Sequence, residues 1–87
     1  DFVKLDDHVH IAHNVKIGVG ALVTACAEVS GGGQIGANAW IGPNASIIQK
    51  ITIGRNSLVG IAANVTKNVP DDVVVAGNPA KILRSNQ

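Results

Sequence analysis

The stretch Ile-Gly-Ala-Asn-Ala-Trp-Ile-Gly-Pro-Asn-Ala-Ser-Ile-Ile-Gln-Lys-Ile-Thr-Ile-Gly, residues 35–54, has an aliphatic residue at every sixth position. The same spacing continues in both directions over eleven consecutive positions, which are Leu5, Ile11, Ile17, Val23, Val29, Ile35, Ile41, Ile47, Ile53, Val59 and Val65. A helix of 3.6 residues per turn cannot keep a six-residue stripe on one side, whereas short strands joined by tight corners can. The pattern therefore predicts an all-β fold, a parallel β-helix of hexapeptide repeats.

The dipeptide Ile-Gly recurs at residues 17, 35 and 53, eighteen residues apart, which indicates three hexapeptides per coil and a triangular prism. About three and a half coils are expected. We assign residues 1–69 to the repeat and residues 70–87 to a strand, a turn and a short polar helix or tail that caps the last coil. Because the chain contains no Met, we also expect an N-terminal region that is missing from it.

The repeat register places the residue before each inward aliphatic on the outer surface. On one side of the prism these residues are Leu22, Trp40 and Leu58, and we call them the apolar ladder. The equivalent residues on the other two sides are polar. A large apolar stripe on a small domain usually marks an interface. We therefore expect self-association through the ladder, with packing of the rest of the protein against it as the alternative.

Composition excludes several function classes. The chain has 87 residues, a net charge of +1 and only two aromatic residues, so a nucleic-acid partner is not expected. No membrane span is visible. The single cysteine, Cys26, excludes an internal disulfide and suits a reducing compartment such as the cytoplasm. We expect it to be a buried or half-buried thiol.

Two segments carry a resemblance to a known family. The tail Val-Val-Val-Ala-Gly-Asn-Pro-Ala-Lys-Ile, residues 73–82, resembles the end of acetyltransferases in the hexapeptide-repeat acyltransferase superfamily. The stretch Val-His-Ile-Ala-His-Asn-Val-Lys-Ile-Gly, residues 9–18, is similar to the active-site coil of the lipid A acyltransferases, especially the UDP-3-O-acylglucosamine N-acyltransferases. Shorter sugar-nucleotide N-acetyltransferases carry a similar arrangement. Lys50 departs from the lipid A pattern, which tends to have a second histidine near this point.

This resemblance implies a left-handed β-helix, a cytoplasmic homotrimer and acyl or acetyl transfer to an amino or hydroxyl group of a sugar nucleotide. The donor would be acetyl-CoA, another acyl-CoA or an acyl carrier protein, the last as a possible partner, with no bound cofactor and no metal. It also implies that His13 is the general base. The chemistry of the residue agrees, since imidazole has an ordinary pKa of about 6.5 and can accept a proton at neutral pH. The alternative is a solvated corner histidine.

Residues stacked over His13 at eighteen-residue steps extend the candidate site. They are Gly31, Gln49 and Lys67, and the neighbouring column holds Asn14, Gly32 and Lys50. Gly31 leaves space above the base, and Lys67 can meet a phosphate of the donor. The three glycines at residues 31–33 form either a side-chain-free strip for a pantetheine arm or simply a loose corner. Gly31, Gly32, Gln49, Lys50 and Lys67 are thus the candidate donor-binding residues.

His10 points outward beneath Glu28, so this pair either binds the acceptor together with Asn14 or is an ordinary surface pair. A different function rests on His8 and His13, whose spacing resembles that of zinc ligands in γ-class carbonic anhydrases. Five residues of strand separate them by roughly 16 Å, so adjacent subunits would have to contribute one each. A trimerising scaffold without activity is the third possibility.

Overall fold

The computed structural model describes Lys4–Leu5 and residues 9–86. Eleven two-residue strands follow one another at six-residue intervals: β1 Lys4–Leu5, β2 His10–Ile11, β3 Lys16–Ile17, β4 Leu22–Val23, β5 Glu28–Val29, β6 Gln34–Ile35, β7 Trp40–Ile41, β8 Ser46–Ile47, β9 Thr52–Ile53, β10 Leu58–Val59 and β11 Asn64–Val65. Two longer strands, β12 Val73–Gly77 and β13 Ala80–Ser85, end the chain. The described residues contain no helix, and therefore none that could span a membrane.

Each short strand pairs in parallel with the strand one coil away. Trp40 pairs with Leu22 below and Leu58 above, at eighteen-residue steps. Three sheets result: sheet A is β1-β4-β7-β10-β12-β13, sheet B is β2-β5-β8-β11 and sheet C is β3-β6-β9. The predicted parallel β-helix with three hexapeptides per coil is thus confirmed, while the left-handed coiling stays a prediction.

The aliphatic column forms the core of the prism. Its residues from Val23 to Val65 are 0–2% exposed, and the small residues two positions before them, such as Ala21, Ala39 and Ala63, are buried with them. Full burial of one such aliphatic side chain contributes about 1.5–3 kcal/mol. Ile11 and Ile17, lower in the stack, are only half-buried. The repeat therefore stabilises itself through one continuous apolar column.

The corners between strands use a left-handed backbone. Nine successive residues at six-residue intervals have φ between 58° and 77°: Asn14, Gly20, Cys26, Gly32, Asn38, Asn44, Lys50, Asn56 and Ala62. Six of the nine are Asn or Gly, the residues that adopt this conformation at lowest cost. The glycines that follow inward aliphatics have another role. A Cβ on Gly36 would lie 2.6 Å from the backbone nitrogen of Arg55 in the next coil.

The last coil is two residues shorter than the others. Ile53 bridges Val69 and Leu58 pairs with Val74, both at steps of sixteen residues. Residues 66–68 contain no left-handed residue. Where a short helix or tail was expected, β13 instead pairs antiparallel with β12 and forms a hairpin over the last coil.

Side-chain hydrogen bonds fasten this hairpin. Asp71 Oδ1 accepts from the Arg55 backbone nitrogen at 2.7 Å, and Asn86 donates to the Asn56 carbonyl at 2.7 Å. The buried Ser57 hydroxyl donates to the Pro70 carbonyl. These bonds add to the backbone pairing of Ile53 with Val69 and of Leu58 with Val74.

The apolar ladder stacks as predicted but is half-buried rather than exposed. Its side chains lie one coil apart, roughly 4.8 Å, so each one covers part of the next. Among the described residues, the large apolar side chains that are exposed lie elsewhere, at Val19, Ile48, Ile61, Ile82 and Leu83.

Candidate functional site

His13 and Asn14 form the corner that joins sheet B to sheet C, between β2 and β3. We call this edge of the prism the B/C corner, and it continues upward through residues 31–32 and 49–50. Asn14 takes the left-handed conformation with φ 63° and turns the chain. His13, one residue earlier, is exposed. Its imidazole can therefore meet a substrate arriving from outside the prism.

Gly31 lies directly over His13. The Gly32 backbone nitrogen donates to the His13 carbonyl at 3.2 Å, and the Lys50 nitrogen donates to the Gly31 carbonyl at 2.9 Å. A Cβ on Gly31 would have only the His13 carbonyl oxygen within 4 Å, at 3.5 Å. The expected stacking of residues 13, 31 and 49 is thus present, and space is left open beside Gly31.

The side-chain-free strip is narrower than predicted for residues 31–33. Gly33 is buried and faces the prism interior, where its Cβ position lies 3.2 Å from the Ile51 carbonyl. Gly32 is exposed, but the Lys50 Cγ lies 3.3 Å from the position of a Cβ and limits the space beside it. Only Gly31 leaves an open notch at the corner.

Lys67 does not continue the column above Gln49. The shortened last coil moves residues 66–68 out of the eighteen-residue register, and the Asn68 side chain accepts from the Thr52 backbone nitrogen at 2.9 Å. Two residues are missing from this corner, because Val69 takes the position that residue 71 would occupy in a full coil. The prediction that Lys67 stacks over Gln49 is therefore wrong.

Lys67 instead lines a cleft of about 300 Å³ between the last coil and the hairpin. The cleft has an apolar wall that includes Val65, Val69 and Val75, and Lys67 and Lys81 are at its polar side. Sequence reasoning missed Lys81, because its position follows from the antiparallel pairing of β13, which has no six-residue repeat. An apolar wall with two cations suits a ligand that has both a flat apolar part and an anionic part.

His10 and Glu28 are paired on the outer side of sheet B. Their strands are in register, and His10 Nδ1 lies 3.6 Å from Glu28 Oε2. The side chains are 71% and 57% exposed. Such a solvent-exposed contact contributes little to stability, about 0–1 kcal/mol. Both groups therefore remain accessible to a ligand beside the B/C corner.

Cys26 is exposed, which corrects the expected buried or half-buried thiol. It occupies a left-handed corner position with φ 61°, where the side chain points away from the core. The expected burial of Cys26 rested on its residue type alone, whereas its position at a corner exposes it.

Metal ligation is not indicated by the part of the chain that the structure describes. Residues 9–86 contain no cluster of three His, Cys, Asp or Glu side chains that could hold an ion. His8, on which the zinc alternative depends, lies outside the described residues.

The sequence matches a family model and several acyltransferases. Residues 32–60 match the family model described as bacterial transferase hexapeptide (six repeats). The chain is 36% identical over 81 residues to a UDP-3-O-acylglucosamine N-acyltransferase of Caulobacter sp. strain K31, covering 93% of this chain and 24% of the relative. It is 37% identical over 89 residues to the galactoside O-acetyltransferase of Escherichia coli K12, covering 94% of this chain and 43% of the relative.

A solved galactoside acetyltransferase in complex with coenzyme A superimposes on the fold with a TM-score of 0.79. It is 25% identical and the match covers 98% of this chain and 60% of that one. The chain spans less than half the length of both curated relatives. The chain therefore carries the hexapeptide repeat of bacterial transferases over residues 32–60 and is similar to acyltransferases along most of its length.

Proposed function

We propose that this chain is the repeat domain of an acyltransferase that moves an acyl or acetyl group from a thioester to an amino or hydroxyl group of a sugar nucleotide. The single observation that carries the proposal is the exposed imidazole of His13 next to the open notch at Gly31. The superposition with an acetyltransferase that binds coenzyme A supports it.

His13 acts as the general base in this proposal. The acceptor nitrogen or oxygen attacks the thioester carbonyl carbon while the imidazole takes its proton. The tetrahedral intermediate collapses, the carbon–sulfur bond breaks, and the imidazolium returns the proton to the departing sulfur. Both reactants are bound together, so the reaction requires no covalent enzyme intermediate.

The donor lies along the B/C corner. Its thioester is at His13, its pantetheine arm passes Gly31, Gly32 and Gln49, and its anionic end reaches the cleft of Lys67 and Lys81. The three coil steps from His13 to that level span roughly 14 Å at the strand spacing of a parallel sheet. The lysines attract phosphate as compact charges. Coenzyme A fits this arrangement, and an acyl carrier protein presents the same phosphopantetheine arm.

The acceptor binds on the other side of His13. Glu28 and His10 offer a carboxylate and an imidazole on sheet B, and Asn14 offers an amide at the corner itself. These groups hydrogen-bond hydroxyl and amino substituents of a sugar. A lipid A precursor such as the substrate named for the Caulobacter relative is one acceptor of this kind.

Three copies assemble through the apolar ladder in the same proposal. A half-buried row of two leucines and one tryptophan gains further burial in an interface, where aromatic residues are enriched. We place the protein in the cytoplasm, because its one thiol is free and exposed and suits a reducing compartment.

The test uses the full-length protein with acetyl-CoA, longer acyl-CoAs and acyl carrier proteins as donors and amino-sugar nucleotides as acceptors. His13→Ala should lower kcat by about 10²–10⁴-fold, the usual contribution of a general base. Gln34→Ala, an exposed substitution on sheet C, is the control and should keep full activity. Equal activity of wild type and His13→Ala would remove His13 as the base.

Assembly is tested by sedimentation. Trp40→Glu places a charge in the ladder and should shift the trimer toward monomer. Gln34→Glu adds the same charge at the equivalent position of sheet C, so it should leave the mass unchanged. A Trp40→Glu protein that remains trimeric would rule out the ladder as the interface.

A further inference from the structure

Lys50 occupies a backbone conformation that its residue type does not favour. Its φ is 60°, in the left-handed region, where six of the nine equivalent corner residues are Asn or Gly. L-residues with a full side chain adopt this region at a cost in free energy. Residues held in such conformations cluster at functional sites. Lys50 lies on the B/C corner, the same edge of the prism that carries His13.

The side chain of Lys50 lies over Gly32, one coil below it. A Cβ on Gly32 would lie 3.3 Å from the Lys50 Cγ and 4.0 Å from the Lys50 Cα. The Lys50 side chain therefore leans down over the coil that contains Gly32. Two coils separate Lys50 from His13, roughly 10 Å at parallel-strand spacing. A lysine stem extends roughly 6 Å. The stem is therefore long enough to bring the ammonium to the level of Gly31, one coil above His13.

We propose, resting on the proposed function, that Lys50 is the cation that stabilises the oxyanion of the acyl-transfer reaction. When the acceptor attacks, the carbonyl oxygen takes an electron pair and becomes negative while His13 takes the proton of the acceptor. When the intermediate collapses, the carbonyl bond re-forms and sulfur leaves with its bonding pair, protonated by His13. Lys50 exchanges no proton in this step, and its charge acts on the oxygen where negative charge develops.

A stability measurement separates this role from a structural one. Lys50→Gly relieves the left-handed backbone and should raise the Tm by a few degrees. The same variant should lower kcat by about 10- to 100-fold with little change in the KM for the donor. This loss is smaller than for a buried oxyanion donor, because Lys50 is exposed to solvent and salt. Lys50→Arg should retain part of the activity.

Two control variants use the full-length protein in the same assays. Ala62→Gly relieves the same backbone strain at a different corner, with φ 58°, and should raise the Tm without changing kcat. Lys16→Gln removes an exposed cation from sheet C and should leave kcat unchanged.

The outcomes distinguish this inference from the proposed function. Wild-type kcat in Lys50→Gly would overturn the inference and leave the proposed function intact. A raised KM with unchanged kcat would also overturn it, because Lys50 would then bind the donor equally in the ground state and the transition state. A wild-type protein that transfers no acyl group from any of the donors would overturn both.

Discussion

Gly36→Ala should destabilise the repeat strongly, although alanine would normally suit its backbone. Gly36 has no positive φ, so the cost comes from contact alone. A Cβ would lie 2.6 Å from the Arg55 nitrogen, 2.8 Å from the Gly54 carbonyl carbon and 2.9 Å from the Arg55 Cα. Ordinary Cβ contacts begin at 3.4 Å, so neighbouring coils would have to separate by almost an ångström.

That separation also weakens the backbone ladder. The Gly36 nitrogen donates to the Ile53 carbonyl at 2.7 Å, and this bond would lengthen as the coils part. Overpacking costs about 1–3 kcal/mol, and a lost hydrogen bond costs about 0.5–1.5 kcal/mol. Alanine recovers about 0.4–1 kcal/mol by restricting the unfolded chain. The net loss in free energy of unfolding is therefore about 0.5–4 kcal/mol.

The assay is urea unfolding followed by the fluorescence of Trp40, the only tryptophan and a half-buried member of the ladder. With an m-value of about 1–3 kcal/mol per molar, a mid-range loss of about 2 kcal/mol should lower the urea midpoint by about 0.7–2 M.

Gly31→Ala is the matched control, because its Cβ would meet one backbone oxygen at 3.5 Å, an ordinary contact. Its free energy of unfolding should stay within about 0.5 kcal/mol of wild type, the usual range for surface substitutions. The reasoning about close coil approach is refuted if both variants unfold at the same urea concentration.

Three further substitutions test other parts of the fold. Ile47→Ala removes a fully buried core side chain and should lower the free energy of unfolding by about 2–5 kcal/mol in the same urea assay. Glu28→Gln removes the carboxylate that contacts His10 and should change the free energy of unfolding by less than about 1 kcal/mol. A larger loss would show that this pair stabilises the fold. The exposed Cys26 should react with a thiol reagent in the folded protein, and a thiol that reacts only after unfolding would contradict its exposure. Cys26→Asn should raise the free energy of unfolding, because Asn tolerates the left-handed corner.

The repeat could be predicted because every coil offers nearly the same environment. An inward position such as Ile41 is surrounded by equivalents of itself above and below, so the same residue type is selected at each step. The eighteen-residue recurrence of Ile-Gly then fixed how strands pair. The corner conformations are also encoded in the sequence, through Asn and Gly at positions such as Asn38 and Gly20.

The upper end of the site could not be predicted in the same way, because there the repeat stops. Val69 follows Val65 by four residues instead of six, and the pairing partner of the shortened coil depends on the hairpin. Lys67 therefore leaves its column, and Lys81 enters the cleft from a strand without hexapeptide spacing. Where a cap replaces the periodic environment, specific hydrogen bonds such as that between Ser57 and Pro70 determine the geometry.

The topology also restricts how the proposed trimer and the proposed site can coexist. The B/C corner that carries His13 lies opposite sheet A, which carries the apolar ladder, because a triangular prism places each corner across from one sheet. If sheet A faced a threefold axis squarely, His13 would lie on the outside of the assembly, far from any neighbour. If sheet A instead covers sheet B of the next copy, the B/C corner of that copy lies at the edge of the interface and sheet C stays outside it. A site shared between subunits and an interface through the ladder are therefore compatible only in the second packing, in which each copy uses two different surfaces.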